Sequence, residues 1–490
     1  MREREIKFLV PQGFSLDEVE LGRKLRMVPE GHARFETVYV DTPDLRLAGW
    51  GLSLRHRSGE GWTLKLPPSG SGALVEREEI EFAGASAAGG PPAEARRLAA
   101  AFVRTARTRP VVRLRTVRHT HRLEGVDGRA VGVATLDEVR VLGSPPWTFR
   151  EVEVELARDA PASLADRVGK RLRIAGASPE RTSKYLRSLG SRAPAGPEVV
   201  AVAVGRESTP SELVRAAIGR STVRLMLHDP VVRLGTDAEA VHQARVAARR
   251  LRSDLRTFGP HLDSVWAAEL GGELRWVGRQ LGGLRDADVM LERLRGRILG
   301  LPEQDAVASA DLLRALETRR GRARRRLATA LDEPRYVAVV ERLVAASQHP
   351  RMGTGAAARG RVLAETLVVP PAGRLRESVG QLGEEPSDEA LHRVRIAAKG
   401  LRYAAEAVGR AAGQSVARVA RAASAAQDVL GEHQDAVVAG GWLRARAARA
   451  GRPAAWAKLE RMEIEAAAAA RAAWPAAWDR LERAMNAAGM

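Results

Sequence analysis

The stretch HQARVAARRLR at 242–252 recurs as HRVRIAAKGLR at 392–402, about 150 residues further along the chain. Both copies have helical spacing, and their polar residues stand 3, 7 and 10 positions after the histidine. At 100° per residue, these offsets place the polar side chains within roughly 80° of one helix face. The opposite face is apolar. The two predicted basic ridges are His242, Arg245, Arg249 and Arg252 in the first copy, and His392, Arg395, Lys399 and Arg402 in the second.

The repeat extends beyond these ridges, because LGGLRDA at 281–287 is matched by LGEHQDA at 430–436. A single internal period indicates a duplication rather than a solenoid. It predicts an all-α domain of two pseudo-symmetric helical bundles, whose ridges together would face a ligand with many negative charges. The alternative is that each ridge is the solvated side of an amphipathic helix. We interpret the densest basic run, 319–326, as such a solvated face, and we expect Asp286 and Asp435 to pair with neighbouring arginines.

Charge and composition narrow the function classes. Among 490 residues, 79 Lys and Arg stand against 60 Asp and Glu, and the net charge of +19 indicates an anionic partner. The absence of cysteine excludes disulfides, thiolate chemistry and cysteine-type zinc sites. We find no secretory signal and no run of 18 apolar residues, so we expect a soluble cytoplasmic protein without membrane contact.

The chain changes character near residue 190. Before it, short alternating runs predict strands at 35–40, 51–57, 62–66, 111–117 and 149–156. After about residue 211 nearly everything has helical spacing. The predicted organisation is an antiparallel β-barrel domain with flanking helices at 1–190, a linker at 191–208 and the helical domain at 209–490.

The predicted strands carry charge on alternate residues. Acids and one lysine share a face at Glu3, Glu5 and Lys7, and a second acidic strand has Glu151, Glu153 and Glu155. Cations alternate in the other strands, at Arg55, Arg57, Lys65, Arg113 and Arg115. If the strands close into a barrel, these polar sets can line a lumen, where carboxylates bind a divalent cation and arginines bind phosphate. Such a lumen suits a short polyphosphate, although alternating charge is also typical of the solvated face of a sheet.

Several motifs, in this order, resemble the CYTH family of triphosphate tunnel metalloenzymes over about residues 1–190. They are Glu3-x-Glu5-x-Lys7, YVDTP at 39–43, LRHR at 54–57, TLK at 63–65, LDE at 136–138, EVEL at 153–156 and SKY at 183–185. The helical half resembles the CHAD domain, a module associated with inorganic polyphosphate. The whole chain therefore resembles a CYTH–CHAD protein.

This resemblance implies a set of residue roles. Mg²⁺ or Mn²⁺ would be held by Glu3, Glu5, Asp137, Glu153 and Glu155, with Glu151 ranked below them. Triphosphate would be bound by Lys7, Arg55, Arg57, Lys65, Arg113, Arg115 and Lys184, of which Lys7, Arg57 and Lys65 are predicted to be catalytic. The two ridges would bind long-chain polyphosphate. The implied reaction is hydrolysis of inorganic triphosphate to pyrophosphate and phosphate.

Three alternatives remain open. The protein could be a non-catalytic module that docks on polyphosphate granules in the cytoplasm. It could instead be a hydrolase or cyclase that acts on an organic triphosphate. Nucleic-acid binding is disfavoured, because a chain with only 4 Tyr and 7 Phe has few aromatic platforms for stacked bases.

Overall fold

The structure, a computed structural model, describes residues 2–68, 74–82, 89–143, 145–353, 360–450 and 454–490. The chain divides into two compact units, residues 1–198 and 199–490. Among the described helices, none has the length and apolar character needed to cross a membrane.

The first unit is built on an antiparallel sheet that closes on itself. In sheet order the strands run β5-β4-β3-β2-β6-β7-β8-β1-β9, and β5 also pairs with β1, so β1 to β8 form a ring. This confirms the predicted barrel. The strands are β1 (Arg2–Leu9), β2 (Leu25–Asp41), β3 (Ser53–Arg57), β4 (Gly61–Lys65), β5 (Val75–Phe82), β6 (Arg109–Gly125), β7 (Ala130–Val141), β8 (Trp147–Leu156) and β9 (Ser178–Glu180).

Alternation along β1 and β8 separates a polar inner face from an apolar outer face. Ile6, Val152 and Val154 belong to one buried cluster, which also contains Leu164 and Val168 of the covering helix. Arg4 interrupts the apolar face of β1, but its guanidinium donates to the carbonyl of Ala160 at 2.9 Å and so ties down the turn after β8. The helices of this unit are α1 (Arg46–Gly49), α2 (Ala93–Leu98), α3 (Ala100–Val103), α4 (Ala162–Ile174) and α5 (Lys184–Leu189).

One end of the barrel lumen is filled by apolar side chains. Tyr39 stacks on Tyr185 of α5 with ring centroids 4.6 Å apart, and both are buried in a cluster with Leu114 and Val139. Leu114 and Val139 lie on inward-facing positions of β6 and β7, because strand residues two apart share a face. Helix α5 therefore closes the barrel at this end.

The YVDTP motif has a structural role at this closed end. The fully buried Asp41 carboxylate accepts from the backbone N–H of Leu47 and of Ala48, both at 2.9 Å, and from the Tyr185 hydroxyl at 2.8 Å. We expect Asp41→Ala to lower the free energy of unfolding of the barrel unit by about 4 kcal/mol, since several buried donors would lose their acceptor. Urea denaturation followed by tryptophan fluorescence measures this loss.

The neighbouring Asp44→Ala is the matched control. Asp44 is exposed and pairs only locally, with Arg46 at 2.8 Å, so we expect a loss of less than about 1 kcal/mol. Equal losses in the two variants would show that Asp41 does not hold the closed end together.

The second unit is helical. The helices are α6 (Pro210–Leu234), α7 (Ala238–Thr257), α8 (Ser264–Leu299), α9 (Glu303–Ala308), α10 (Ala310–Asp332), α11 (Pro334–Gln348), α12 (Gly360–Gly380), α13 (Asp388–Ala412), α14 (Gln414–Ala450) and α15 (Ala454–Ala487). Several begin at side-chain caps, including a capping box of Thr209 and Glu212 at α6 and the Ser387 cap of α13.

The duplication read from the sequence is visible in the packing. Helices α6, α7, α8 and α10 pack in series, as do α12, α13, α14 and α15, and α7 also packs against α13. The apolar faces of the two repeated segments are buried, including Ala248, Leu251, Ala398 and Leu401. The predicted pair of helical bundles is therefore confirmed.

Candidate functional site

Strand register brings the charged residues of the barrel to one interior surface. Lys7 on β1 lies opposite Glu153 on β8, and Asp137 on β7 lies opposite Glu151. Opposed residues in a ladder project from the same face of the sheet. All four side chains are therefore in the lumen, and both Asp137 and Glu151 are fully buried there.

Three of these carboxylates lie close enough to hold a metal ion. Asp137, Glu151 and Glu153 each offer an oxygen within 4.8 Å of the others, and the described residues contain no second group of this kind. Neither oxygen of Glu151 accepts a hydrogen bond, although the ammonium group of Lys184 is 3.0 Å from one of them. Buried carboxylate oxygens without hydrogen-bond donors fit the ligand set of Mg²⁺ or a similar hard divalent cation.

The charges of this metal-capable cluster are unequal. Burial raises the pKa of Glu151 above its usual value, against the attraction of Lys7 and Lys184. For Glu153, burial is outweighed by Lys184, Lys7 and Arg118, which hold its pKa well below the usual range. In Lys184, burial is outweighed by Asp137 and both glutamates, so its pKa rises to about 12. Glu153 is thus firmly ionised, and burial of Asp137 is likewise outweighed by Lys184 and Arg118, which lower its pKa, whereas Glu151 gains a proton more readily.

The remaining predicted metal ligands form a neighbouring group. Glu5 lies opposite Glu155 across β1 and β8, and Glu3 accepts from the ammonium group of Lys65 at 2.7 Å. Burial raises the pKa of Glu3 to about 7 despite this lysine. The structure therefore divides the predicted set. Glu3 and Glu155 lie near Lys65 and Glu5 lies near Arg77, whereas Glu151 is beside Asp137 and Glu153.

Most of the predicted triphosphate-binding cations reach the lumen. Lys7 lies 2.6 Å from Glu153, and Arg55 lies 3.3 Å from Glu79. The Arg57 guanidinium stands 4.3 Å over the ring of Phe35 and pairs with Glu60. The five predicted cations that line the lumen are Lys7, Arg55, Arg57, Lys65 and Lys184.

Arg113 and Arg115 correct the sequence prediction, because both are exposed on the outer face of β6. Arg115 pairs with the equally exposed Glu36 at 2.9 Å. The inward face of β6 carries Leu114, Thr116 and Arg118 instead. The prediction placed the arginines of this strand in the lumen, but at the closed end of the barrel the apolar residues point inward and the arginines point outward.

The sequence prediction did not include Arg118, Arg77 and Glu79, which also face the lumen. Arg118 makes a bidentate ion pair with Asp137 at 2.7 and 2.6 Å, and Arg77 and Glu79 of β5 face Glu5 and Lys65. Arg118 could have been found by continuing the face of Leu114 and Thr116. Arg77 and Glu79 alternate within VEREEIEF, so their shared face was also readable.

The helical unit brings the two basic ridges together where α7 crosses α13. Tyr403 is faced by Arg249, Arg250 and Arg402, with guanidinium carbons 5.1 to 5.9 Å from the ring centroid. We call the convergent cations at this crossing the cradle. Its members are Arg245 and Arg249 of α7 and Arg395, Lys399 and Arg402 of α13.

The cradle has an excess of positive charge. Burial, followed by repulsion from Arg395, Arg249, Arg245 and Arg402, lowers the pKa of Lys399 to about 8. The Nε atoms of Arg249 and Arg395 are buried without a hydrogen-bond partner. The five cations repel one another, so an anion that enters the cradle stabilises the cluster.

The histidines and the far ends of the ridges differ between the copies. The His392 ring lies 2.5 Å from the side-chain oxygen of Gln434, and burial with nearby Arg285 lowers the pKa of His242. Arg402 pairs with Glu406 at 2.7 Å. Arg252, by contrast, lies apart from the cradle among other arginines, Arg256, Arg275 and Arg279.

Asp286 and Asp435 stand at equivalent positions of the two repeats, and each lies near an arginine of the cradle. Asp286 accepts from Arg245 at 2.5 Å, and Asp435 attracts Arg395 in the second copy. As expected from the sequence, Asp286 pairs with a cradle arginine, and Asp435 lies near enough to attract one. The arginine side chains lie against Gly282 and Gly431, at equivalent places in the two repeats.

Comparison with known proteins covers both units. The family model of the CYTH domain matches residues 1–185, and that of the CHAD domain matches residues 216–444. Two curated Mycobacterium tuberculosis proteins are each 32% identical over 446 residues, covering 83% of this chain and 80% of theirs. They are the uncharacterized protein MT2285 of strain CDC 1551 / Oshkosh and the uncharacterized protein Rv2226 of strain ATCC 25618 / H37Rv.

Two solved structures are also similar. PptA from Streptomyces chartreusis is 25% identical, with a TM-score of 0.48, and the match covers 56% of this chain and 100% of that one. The CHAD domain from the plant Ricinus communis is 26% identical, with a TM-score of 0.46, and the match covers 59% of this chain and 96% of that one.

Proposed function

Because this chain belongs to the family of proteins that join a CYTH domain to a CHAD domain, we propose that its barrel hydrolyses inorganic triphosphate and its helical unit binds inorganic polyphosphate. CYTH domains belong to a superfamily of metal-dependent phosphate-transfer enzymes. The observation that carries the proposal is the buried group of Asp137, Glu151 and Glu153, surrounded by lysine and arginine in one lumen.

Asp137, Glu151 and Glu153 would hold a Mg²⁺ or Mn²⁺ ion, and Glu3, Glu5 and Glu155 form the second acidic group of the lumen. A bound divalent cation supplies Lewis-acid polarisation of phosphate oxygens and a more acidic water. The donor set fits such an ion, since it consists of carboxylate oxygens, and those of Glu151 lack hydrogen-bond donors.

The lumen cations have two tasks in this proposal. They neutralise the carboxylates in the free protein and bind phosphate oxygens when triphosphate enters. Lys7, Arg57 and Lys65 would stabilise the negative charge that develops as water attacks the terminal phosphorus and the bond to pyrophosphate breaks. Arg55, Arg118 and Lys184 would position the chain. The guanidinium groups of Arg57 and Arg118 both lie over the ring of Phe35, and these cation–π contacts would help to orient them.

A substrate screen tests the proposal. Phosphate release from triphosphate, thiamine triphosphate, ATP and long-chain polyphosphate would be measured with Mg²⁺ and with Mn²⁺, and we expect the highest rate with inorganic triphosphate. A preference for an organic triphosphate would reassign the substrate. Failure to hydrolyse any of them, with polyphosphate affinity retained, would leave a binding module such as a granule-associated protein.

The titration of Lys399 gives a prediction for polyphosphate binding. Its pKa of about 8 means that this cradle residue loses its charge as the pH rises above 8. We expect polyphosphate affinity to fall by up to about tenfold between pH 7 and pH 9, because the deprotonated amine must regain a proton to bind an anion. Binding titrations across this range measure the effect.

Lys399→Arg is the control, since a guanidinium keeps its charge throughout this range. Its affinity should stay nearly constant from pH 7 to pH 9. His242 contributes nothing to the comparison, because its lowered pKa leaves it neutral over the whole window. An identical fall in the wild type and in Lys399→Arg would exclude Lys399 as the titrating group.

A further inference from the structure

A basic cavity lies on the helical unit, on the face formed by α8, α10 and α14. Its volume is about 600 Å³, within the range of ligand sites. It is lined by five arginines and by no acidic residue; these are Arg279, Arg319, Arg322, Arg326 and Arg446. We call this cavity the α10 groove.

The arginines of the α10 groove differ from others on the same helix. Arg320 pairs with Asp288 at 2.5 Å, and Arg314 pairs with Asp311. Arg295 of α8 pairs with Glu317 of α10 at 3.0 Å. In the described part of the chain, none of the five groove arginines has a carboxylate within ion-pair distance. The acids along α10 therefore neutralise its other faces and leave the groove positively charged.

The spacing on α10 explains how one helix presents three of these cations. Positions 319, 322 and 326 are three and four residues apart, so their side chains are neighbours on one face. Like charges at this spacing destabilise an isolated helix. A bound anion would remove that repulsion, whereas the solvated face expected from the sequence for 319–326 would leave it in place.

The groove adjoins the far end of the first basic ridge. A guanidinium nitrogen of Arg252 lies 4.0 Å from the point that a Cβ would occupy at Gly278, the residue before Arg279. After burial, repulsion from Arg256, Arg275 and Arg279 lowers the pKa of Arg252. Arg252 belongs to α7 and stands apart from the cradle, so its side chain extends from α7 toward the groove.

We propose that the α10 groove is a second binding site for a phosphate chain, and that a long polyphosphate runs from the cradle past Arg252 into it. The inference rests on the proposed binding of polyphosphate by the cradle. Arginine forks are suited to successive phosphates. The residues lining the groove include no aromatic side chain on which a base could stack, so a phosphate chain fits better than a single-stranded nucleic acid.

The test compares two full-length triple variants for binding of long-chain polyphosphate at several salt concentrations. The groove variant carries Arg319→Gln, Arg322→Gln and Arg326→Gln. The control carries Arg295→Gln, Arg314→Gln and Arg342→Gln, which removes the same charge from exposed ion pairs elsewhere in the helical unit. Glutamine has a helix propensity close to that of arginine, so both variants should fold.

We expect the groove variant to bind long-chain polyphosphate at least about tenfold more weakly than the control, with a salt dependence reduced by about 2 in log–log slope. Phosphate release from triphosphate should be the same in both. Equal affinity and slope in the two variants would overturn the groove site alone. Loss of polyphosphate from the groove to single-stranded RNA at equal phosphate concentration would also overturn it, in favour of a nucleic-acid site. No affinity in the wild type would overturn the cradle proposal as well.

Discussion

Glu153→Gln is expected to lower the rate of triphosphate hydrolysis about a thousandfold, because a catalytic metal contributes several kcal/mol and each 1.4 kcal/mol is about tenfold in rate. Glu153 is a firmly ionised member of the metal-capable cluster, with Lys7 at 2.6 Å and Arg118 at 3.3 Å. Its replacement removes a full negative charge from the centre of the lumen. Phosphate release under saturating Mg²⁺ measures the effect.

Glu151→Gln should remove less negative charge from the lumen than Glu153→Gln does, because burial already favours the protonated form of Glu151. The matched control is Glu138→Gln, on the outer face of β7, where Glu138 pairs with Arg150 at 3.0 Å. The control should retain nearly full activity. Circular dichroism must show that Glu153→Gln remains folded, since loss of one partner in a buried ion pair can cost about 3–5 kcal/mol. A folded Glu153→Gln protein with wild-type turnover would remove this cluster from the mechanism.

The second large effect is expected in the cradle. Joint replacement Arg249→Gln and Arg395→Gln should weaken polyphosphate binding at least about 100-fold, since each charged hydrogen bond contributes about 1.5–3 kcal/mol. These two arginines come from different repeats, and both have a buried Nε without a partner. Equilibrium binding of long-chain polyphosphate at fixed salt tests the prediction.

The control for the cradle is Arg295→Gln with Arg342→Gln, which removes two charges from exposed ion pairs. Its affinity should fall only slightly, through the loss of net charge. Triphosphate hydrolysis should be unchanged in both double variants. If the two bind polyphosphate equally well, general electrostatic attraction rather than the cradle accounts for binding.

Much of the architecture could be predicted from the sequence, because the polar residues follow the two-residue period of a strand in the first unit and the 3.6-residue period of a helix in the second. The alternation along β1 and β8 placed Lys7 and Glu153 on one face, and the matched offsets in α7 and α13 identified the cradle residues. Both signals are local and survive without knowledge of the partner strand or helix. The closed end of the barrel was not predictable in this way. There α5 packs Tyr185 inside the lumen, so the inward face of β6 is apolar at Leu114 and charged only from Arg118 onward.

The ion-pair partners within the lumen could not be predicted from the sequence either. Lys65 binds Glu3 and Glu79, which lie on strands that meet only when the ring closes. The split of the acids into two groups depends on that closure, and no spacing in the sequence encodes it. The different surroundings of Arg252 and Arg402, by contrast, follow from sequence spacing. Arg402 pairs with Glu406 four residues further along α13, whereas Arg256 stands at the corresponding position after Arg252.

The stacked tyrosines at the base of the barrel have a consequence for directionality. Because this end of the lumen is closed, triphosphate and both products of the proposed hydrolysis would pass through the opposite end. A linear polymer could then present only its terminus to Lys184 and the acids beside it. A phosphate polymer cleaved there would be shortened stepwise from its terminus, and its internal bonds would not be cleaved.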